Sequence, residues 1–228
     1  MYTLLSIVYK RLKEYYGGFD REGFIATRIH GKSLYEFIVG VLLSQNTSDR
    51  NAIRAYENLS KVLGGITPEK ILGTRIDVIE EAIRVAGLYR ARARNIVELA
   101  KIFLDKQFIE KLYSLVNKGD IVGARKLLTS LPGIGYKTAD VVLLMYFGKP
   151  VFPVDTHIAR ITVRLGFVDK RDYESIRLFW EKNLSPRNYL EAHLLLITHG
   201  RRVCKARKPL CSVCVLRDLC RSYKELGY

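Results

Sequence analysis

The fold is decided by the stretch Ser130-Leu131-Pro132-Gly133-Ile134-Gly135-Tyr136-Lys137-Thr138-Ala139-Asp140. Helical patterns of apolar residues precede and follow it, so it predicts a helix, a five-residue turn and a second helix. Gly133 and Gly135 permit positive φ and let a surface come close to the backbone. The N–H groups of the turn and of the start of the second helix could then face one phosphate oxygen. An ordinary turn between two helices would show the same spacing, so this stretch alone leaves both interpretations open.

Similar helical patterns, separated by Gly and Pro, extend in both directions from this stretch. Apolar residues recur with i, i+3, i+4 spacing and period-two alternation is rare, which predicts an all-α fold. A capping box at Ser33 to Glu36 and the sequence Thr67-Pro68-Glu69 are clear helix starts. Predicted helices cover about 37–43, 76–85, 91–104, 121–130 and 136–147.

The charge of the chain favours a polyanionic partner. Its 228 residues include 38 Lys and Arg against 23 Asp and Glu, a formal net charge of +15. Such a chain gains affinity by releasing counterions from phosphates, although a generally basic protein has the same composition. No apolar run reaches the roughly 18 residues that a membrane span needs, and the N-terminus lacks a cleavage site. We therefore expect a cytoplasmic protein without a membrane segment.

The four cysteines have the spacing Cys204-x6-Cys211-x2-Cys214-x5-Cys220. Disulfides are not expected, because the chain has no secretion signal and is large enough for its own core. Structural zinc sites usually show two close cysteine pairs, whereas only Cys211 and Cys214 are close here. Four thiolates can also hold a 4Fe–4S cluster. The spacing predicts a metal site in a reducing compartment and leaves the metal open.

Five motifs, taken together, resemble the endonuclease III-type DNA glycosylases of the helix–hairpin–helix (HhH-GPD) superfamily. In chain order they are LLSQNTSD (42–49), GLYRARARNI (87–96), LPGIGYKTADVV (131–142), VDTHIARI (154–161) and HGRRVCKARKPLCSVCVLRDLC (199–220). The resemblance implies a two-lobed, all-α fold. One lobe is a six-helix barrel domain at 31–149 with the helix–hairpin–helix at about 123–147. The other is a discontinuous helical domain, 1–30 plus 150–228, with one 4Fe–4S cluster bound by the cysteines of residues 204–220.

The resemblance also implies two catalytic residues. Lys137 matches the nucleophilic lysine of the bifunctional members, and Asp155 matches their essential aspartate. An amine can attack C1′ of a damaged deoxynucleotide and expel the base, leaving an imine that permits β-elimination of the 3′ phosphate. A carboxylate can stabilise the positive charge that develops on the sugar. Without the resemblance, Lys137 would be taken for a phosphate contact and Asp155 for a helix N-cap.

The DNA-contacting residues follow from the same resemblance. Extruding a base from the duplex costs a few kcal/mol, and side chains inserted into the gap offset part of that. The resemblance assigns insertion to Asn46 and Leu88. Family members often carry glutamine where Asn46 stands, so Gln45 could insert instead, and Leu88 could be a core contact. The other expected DNA contacts are Gly133, Gly135, Tyr136, Arg202 and Lys205. Arg90, Arg92 and Arg94 cannot share one helix face, and we interpret them as general electrostatic background.

These assignments predict a monomeric, nucleoid-associated base-excision repair enzyme. It would be a bifunctional DNA glycosylase and abasic-site lyase on duplex DNA that contains an oxidised pyrimidine or an abasic site. One alternative is a monofunctional mismatch glycosylase that removes adenine or thymine/uracil, although such relatives usually carry serine or tyrosine in place of Lys137. Another is a non-catalytic iron–sulfur DNA-binding protein, in which Lys137 and Asp155 have no chemical role.

Overall fold

The computed structural model describes residues 4–19 and 23–226, and all regular structure in these two ranges is helical. This confirms the all-α fold. The apolar N-terminal sequence, residues 1–16, also predicts a first helix, of which Met1 to Thr3 lie outside the described residues. The helices are α1 (Leu4–Tyr16), α2 (Ile25–Arg28), α3 (Leu34–Leu43), α4 (Asp49–Leu63), α5 (Pro68–Leu72), α6 (Ile76–Ile83), α7 (Tyr89–Leu104), α8 (Lys106–Asn117), α9 (Ile121–Thr129), α10 (Tyr136–Val141), α11 (Thr156–Leu165), α12 (Tyr173–Asn183), α13 (Tyr189–Arg202) and α14 (Arg221–Leu226). No helix within these ranges combines the length and the apolar character that crossing a bilayer requires.

The chain divides into two compact units. The central unit is Asp20–Lys149, and the terminal unit combines Met1–Phe19 with Pro150–Tyr228. The sequence placed the first boundary at residue 30, so the structure moves α2 into the central unit. The reason is packing: Ile25 and Ile29 are buried, and the Ile29 side chain fills the space beside Gly40 of α3.

Helix α3 is the centre of the central unit. Every residue from Leu34 to Leu43 except Glu36 is buried, as expected of a helix that is apolar on all sides. The predicted capping box is half confirmed. The Ser33 hydroxyl accepts a hydrogen bond from the Glu36 N–H at 3.2 Å, but the Glu36 carboxylate accepts one from the Tyr56 hydroxyl at 2.5 Å instead of reaching back to the cap. This second contact ties α3 to α4.

The helix expected at 136–147 changes its winding part of the way along. Helix α10 ends at Val141 and a π-helical turn follows over Val142–Tyr146. The Phe147 N–H bonds to the Val142 carbonyl at 3.2 Å, and the Lys149 N–H bonds to the Leu143 carbonyl at 2.8 Å. Such turns are rare and often lie near functional sites.

Helix α13 lies in the core of the terminal unit and packs against α1 and α11. Nearby, Trp180 stacks on Phe152 with ring centroids 5.1 Å apart, and its Nε1–H donates to the Thr162 hydroxyl at 2.9 Å. Stacked aromatic rings of this size contribute strongly to a core. This packing fixes the extended segment that leads into α11.

Glu191 joins α13 to α1 through two hydrogen bonds. Its carboxylate accepts one from the Tyr9 hydroxyl and one from the Lys13 ammonium at 2.9 Å. Burial by itself raises the pKa of Glu191, but these donors outweigh it and hold the pKa below the ordinary glutamate value.

Candidate functional site

The hairpin turn between α9 and α10 exposes the backbone of its glycines, while its apolar side chains are buried. Leu131 and Ile134 are buried, whereas Gly133 and Gly135 are exposed. Gly133 is in the left-handed region with φ +76°. Gly135 is extended, at φ −95° and ψ 179°, and a Cβ added there would meet no atom within 4 Å. The turn can therefore approach a flat partner closely, as the glycine pattern predicted.

Gln45 braces this turn from the end of α3. Its Nε2 donates to the Gly133 carbonyl at 2.9 Å and to the Thr138 hydroxyl at 3.0 Å. Its side chain is therefore engaged on both sides of the hairpin. Asn46, the next residue, is exposed and has φ +50°. Of the two residues left open by the sequence, Asn46 is the one whose side chain faces solvent.

Lys137 is the second residue of α10 and is half-buried. The helix that carries it is fixed to α9 by a buried ion pair in which Arg125 Nε donates to Asp140 Oδ1 at 2.6 Å. Both side chains are nearly inaccessible, at 9% and 0% exposed. The pair locks the two hairpin helices together.

Leu88 lies at the start of α7 and is 66% exposed, so it is not a core residue. It has φ +51°, like Asn46. Lys208 is the third and last described non-glycine residue with positive φ. Left-handed backbone is unfavourable for residues with a Cβ and often marks functional positions.

The interpretation of Arg92 as electrostatic background is wrong. Its side chain is buried, and Nη1 donates to the Leu43 carbonyl at 2.7 Å and to the Ala86 carbonyl at 3.2 Å. Its Nη2 donates to the Gln45 carbonyl. Arg90 and Arg94, by contrast, are exposed on the surface of α7.

Asp155 caps α11 in the terminal unit. Its Oδ1 accepts a hydrogen bond from the Ile158 N–H at 2.8 Å, which confirms the N-cap expected from sequence. The preceding segment, Val151 to Val154, is buried. His193 holds it by donating Nδ1–H to the Pro153 carbonyl at 2.9 Å. The half-buried carboxylate is thus rigidly placed.

All four cysteines line one cavity of about 230 Å³, and no disulfide joins any two of them. Two arginines of α11, which the sequence analysis missed, hold the segment 204–220, called the cysteine loop below. Arg160 Nε donates to the Cys204 carbonyl at 2.9 Å. Arg164 donates to the Cys204 sulfur at 3.3 Å and to the Lys205 carbonyl at 2.7 Å. Their i, i+4 spacing puts both on one helix face and was the available signal.

His199 provides a polar contact to the cysteine loop. Burial lowers the pKa of His199 to about 4 and raises that of Tyr16 to about 12, so both are neutral near pH 7. The Tyr16 hydroxyl and His199 Nδ1 share a hydrogen bond of 3.0 Å. The other ring nitrogen, Nε2, lies 3.5 Å from the Cys214 sulfur.

These surroundings fit an iron–sulfur cluster. The cavity brings together four cysteine sulfurs; Arg164 donates an N–H to the sulfur of Cys204, and His199 Nε2 lies within 3.5 Å of the sulfur of Cys214. Within the described ranges, no three His, Cys, Asp or Glu side chains converge on a position for one metal ion. In a cubane cluster each thiolate binds a different iron, so such convergence is not required. The exposed Arg202 and Lys205 flank the first cysteine.

Two family profiles match the chain. The profile of the HhH-GPD superfamily of base excision DNA repair proteins matches residues 39–186. The profile of the iron–sulfur binding domain of endonuclease III matches residues 204–220, the cysteine loop. The first match covers the hairpin and the segment that carries Asp155.

Related proteins show to which family within this superfamily the chain belongs. Endonuclease III of Sulfolobus acidocaldarius is 40% identical over 221 residues, 96% of either chain. Endonuclease III of Escherichia coli strain K12 is 34% identical over 199 residues, 87% of this chain and 88% of that one. The solved structure of a trapped endonuclease III–DNA covalent intermediate has a TM-score of 0.78 and 28% identity, covering 100% of both chains. This chain belongs to the endonuclease III family of the HhH-GPD superfamily. It is a base-excision DNA repair enzyme of the DNA glycosylase/lyase class, with one 4Fe–4S cluster as its cofactor.

Proposed function

We propose that Lys137 is the nucleophile of a bifunctional glycosylase and abasic-site lyase that removes oxidised pyrimidines from duplex DNA. The observation that carries the proposal is the position of Lys137, half-buried in the first turn of α10 beside the exposed glycine turn. The positive end of a helix favours the neutral form of an amine, which is the nucleophilic form. A backbone phosphate bound at the glycines would hold the DNA beside this amine.

The proposed reaction has two stages, release of the base and cleavage of the strand. The Lys137 amine attacks C1′, the bond from C1′ to the base breaks, and the base leaves with the electron pair and takes up a proton. The C1′–O4′ bond then breaks, O4′ takes up a proton to become a hydroxyl, and a protonated imine forms between Nζ and C1′. Loss of a proton from C2′ then expels the 3′ phosphate, and water releases the lysine. This chemistry requires no redox partner.

Asp155 acts as the carboxylate that stabilises the positive charge developing on the sugar. Its Oδ1 is bound to the Ile158 N–H, which fixes the orientation of the second oxygen. A charged group that is already oriented stabilises a transition state without reorganisation. The cap and the catalytic role are therefore compatible in one residue.

Asn46 and Leu88 are the residues that enter the duplex, one polar and one apolar; we call them the insertion residues. Both are exposed, while Gln45 is occupied in bracing the hairpin. The contacts to backbone phosphates come from Gly133, Gly135, Tyr136, Arg202 and Lys205, all exposed.

The thiolates of Cys204, Cys211, Cys214 and Cys220 would hold the cluster. When bound, it supplies a structural link that fixes the cysteine loop and its cations. The same cations reduce the unfavourable charge of four thiolates in one place. We place the enzyme in the cytoplasm, associated with the nucleoid as a monomer. The net charge of +15 supports association with DNA.

Borohydride trapping tests the assignment. Duplex DNA with one thymine glycol or one abasic site should form a covalent adduct with the wild-type chain and none with Lys137→Ala. Lys149, twelve residues further along and half-buried like Lys137, provides a matched control, and Lys149→Ala should trap normally. An adduct that persists in Lys137→Ala would refute the role of Lys137. Base release without any trappable adduct in the wild type would identify a monofunctional glycosylase.

A further inference from the structure

We propose that Arg92 is a positioning residue that sets the geometry of both insertion residues before DNA binds. The inference rests on the proposed function in one respect, the role of Asn46 and Leu88. Its own basis is a set of contacts within the central unit, where one guanidinium joins the two segments that carry these residues.

The contacts reach both segments. Arg92 donates to the carbonyls of Leu43 and Gln45, which lie just before Asn46 in the chain. It also donates to the carbonyl of Ala86, two residues before Leu88. A guanidinium has five N–H donors in a rigid plane, so it can hold three acceptors in fixed relative positions. The ammonium group of a lysine has no such fixed directions.

The burial of Arg92 shows that this arrangement is unfavourable for the charge itself. The side chain is only 5% exposed, and burial lowers the pKa of Arg92. Its hydrogen bonds with Leu43, Gln45 and Ala86 all go to carbonyls and none to a carboxylate. Burying a cation among uncharged carbonyl groups is a poor way to gain stability. The need to hold two segments in a fixed geometry explains why a buried arginine stands at this position.

The strained backbone lies where Arg92 acts. Asn46 and Leu88 have φ +50° and +51°, a conformation that costs a side-chain-bearing residue free energy and persists only when its surroundings enforce it. The Gln45 carbonyl is bound by Arg92, and the Gln45 side chain is bound to the hairpin at Gly133 and Thr138. Arg92 therefore also relates the insertion residues to the turn that precedes Lys137.

The decisive experiment separates base extrusion from the later chemistry. The duplex carries 2-aminopurine beside thymine glycol, and its stopped-flow fluorescence reports extrusion. The same enzyme is then trapped with borohydride on DNA that already has an abasic site, where no base must be extruded. Arg92→Lys preserves the positive charge and removes the planar guanidinium group with its fixed N–H directions. Arg94→Met, at an exposed position two residues along α7, is the control for loss of positive charge.

We expect Arg92→Lys to slow extrusion and base release by about 10- to 100-fold, as for misplacement of a preorganised group by about 1 Å. Trapping on abasic DNA should change less than threefold. Arg94→Met should extrude at the wild-type rate. In an Asn46→Ala, Leu88→Ala background, Arg92→Lys should have no further effect. Extrusion at the wild-type rate in Arg92→Lys, or equal losses on both substrates, would overturn the proposal.

Two further measurements keep the test decisive. If Arg92→Lys does not fold, the wild-type protein can be examined by ¹⁵N NMR of the Arg92 guanidinium. Separate, slowly exchanging Nη signals without DNA support preorganisation, whereas signals that appear only on DNA binding contradict it. Normal extrusion by the Asn46→Ala, Leu88→Ala protein would instead refute the roles proposed for the insertion residues, independently of what Arg92 does.

Discussion

Alanine substitutions at the two glycines of the hairpin turn should have opposite consequences, although the glycines are two residues apart. Gly133 has φ +76°, and a Cβ there would lie 2.5 Å from Asn95 Nδ2 and 3.2 Å from Leu42 Cδ1. Gly135 has an ordinary extended backbone, and its added Cβ would lie in open space. Gly133→Ala should therefore damage the fold, whereas Gly135→Ala should damage only the surface that faces DNA.

The magnitudes follow from these geometries. Left-handed backbone costs an alanine about 1–2 kcal/mol, and displacing the Asn95 and Leu42 side chains adds about 1–2 kcal/mol. Gly133→Ala should thus lower the free energy of unfolding by about 2–4 kcal/mol, or Tm by about 4–16 °C for a chain of this size. Gly135→Ala should raise stability by about 0.4–1 kcal/mol, because alanine restricts the unfolded chain more than glycine does.

DNA binding should show the reverse order. If the Gly135 backbone contacts a phosphate, losing that approach removes about 1.5–3 kcal/mol of charge-assisted hydrogen bonding, roughly a 10- to 150-fold increase in Kd. Gly133→Ala should bind almost normally at temperatures where it remains folded, because its Cβ points towards Asn95 and Leu42 and does not cover the backbone that contacts the phosphate. Thermal unfolding by circular dichroism and fluorescence polarisation with an abasic-analogue duplex measure the two quantities separately.

Gly119 provides the matched control. It also has positive φ, +74°, but an added Cβ would meet nothing within 4 Å. Gly119→Ala should therefore show only the backbone cost of about 1–2 kcal/mol and no change in DNA affinity. An unchanged Tm in Gly133→Ala would refute the conformational argument. Wild-type affinity in Gly135→Ala would show that the glycine turn does not approach the phosphate backbone.

Three further predictions concern the supports of the site. Asp140→Ala should destabilise the protein by about 3–5 kcal/mol, because it leaves the buried Arg125 charge unpaired; the double variant with Arg125→Met should recover much of the lost Tm. Because the pKa of Glu191 is lowered in the folded protein, its ionised carboxylate stabilises the fold at pH values above its unfolded-state pKa, about 4.3. This stabilisation is lost as the pH falls below that value. The Tm difference between wild type and Glu191→Gln should therefore shrink between pH 6 and pH 3. Arg164→Ala removes hydrogen bonds to the cysteine loop and should speed the loss of cluster absorbance in the presence of a chelator; unchanged kinetics would contradict a supporting role.

Local patterns in the sequence predicted the local features of this fold. Ser33, Thr67 and Asp155 each accept a hydrogen bond from the backbone N–H three residues ahead, as N-cap preferences indicate. The hairpin was equally predictable, because apolar residues before and after two glycines define both helices and their turn. Such features depend on residues within a few positions of one another.

Features that depend on distant backbone could not be predicted in the same way. The acceptors of Arg92 include carbonyls 49 and 47 residues away, and nothing in the spacing of three arginines distinguishes the buried one from its exposed neighbours. The π-helical turn after α10 has no apolar signal of its own, because the pattern of a continuous helix fits the same residues. The first boundary between the units was missed because packing of α2 against Gly40 depends on tertiary structure.

The dual use of Asp155 is the point at which fold and chemistry can be separated most cleanly. Asparagine is as good an N-cap as aspartate, so Asp155→Asn should retain the bond to the Ile158 N–H and keep Tm close to that of the wild type. It removes the negative charge, however, and base release should fall by about 10²- to 10³-fold, the usual effect of losing one transition-state stabiliser. Asp155→Ala should lose the same activity and, in addition, about 1 kcal/mol of stability. If Asp155→Asn instead releases bases at the wild-type rate, the carboxylate serves only as a cap, and the positive charge on the sugar must be stabilised by another group.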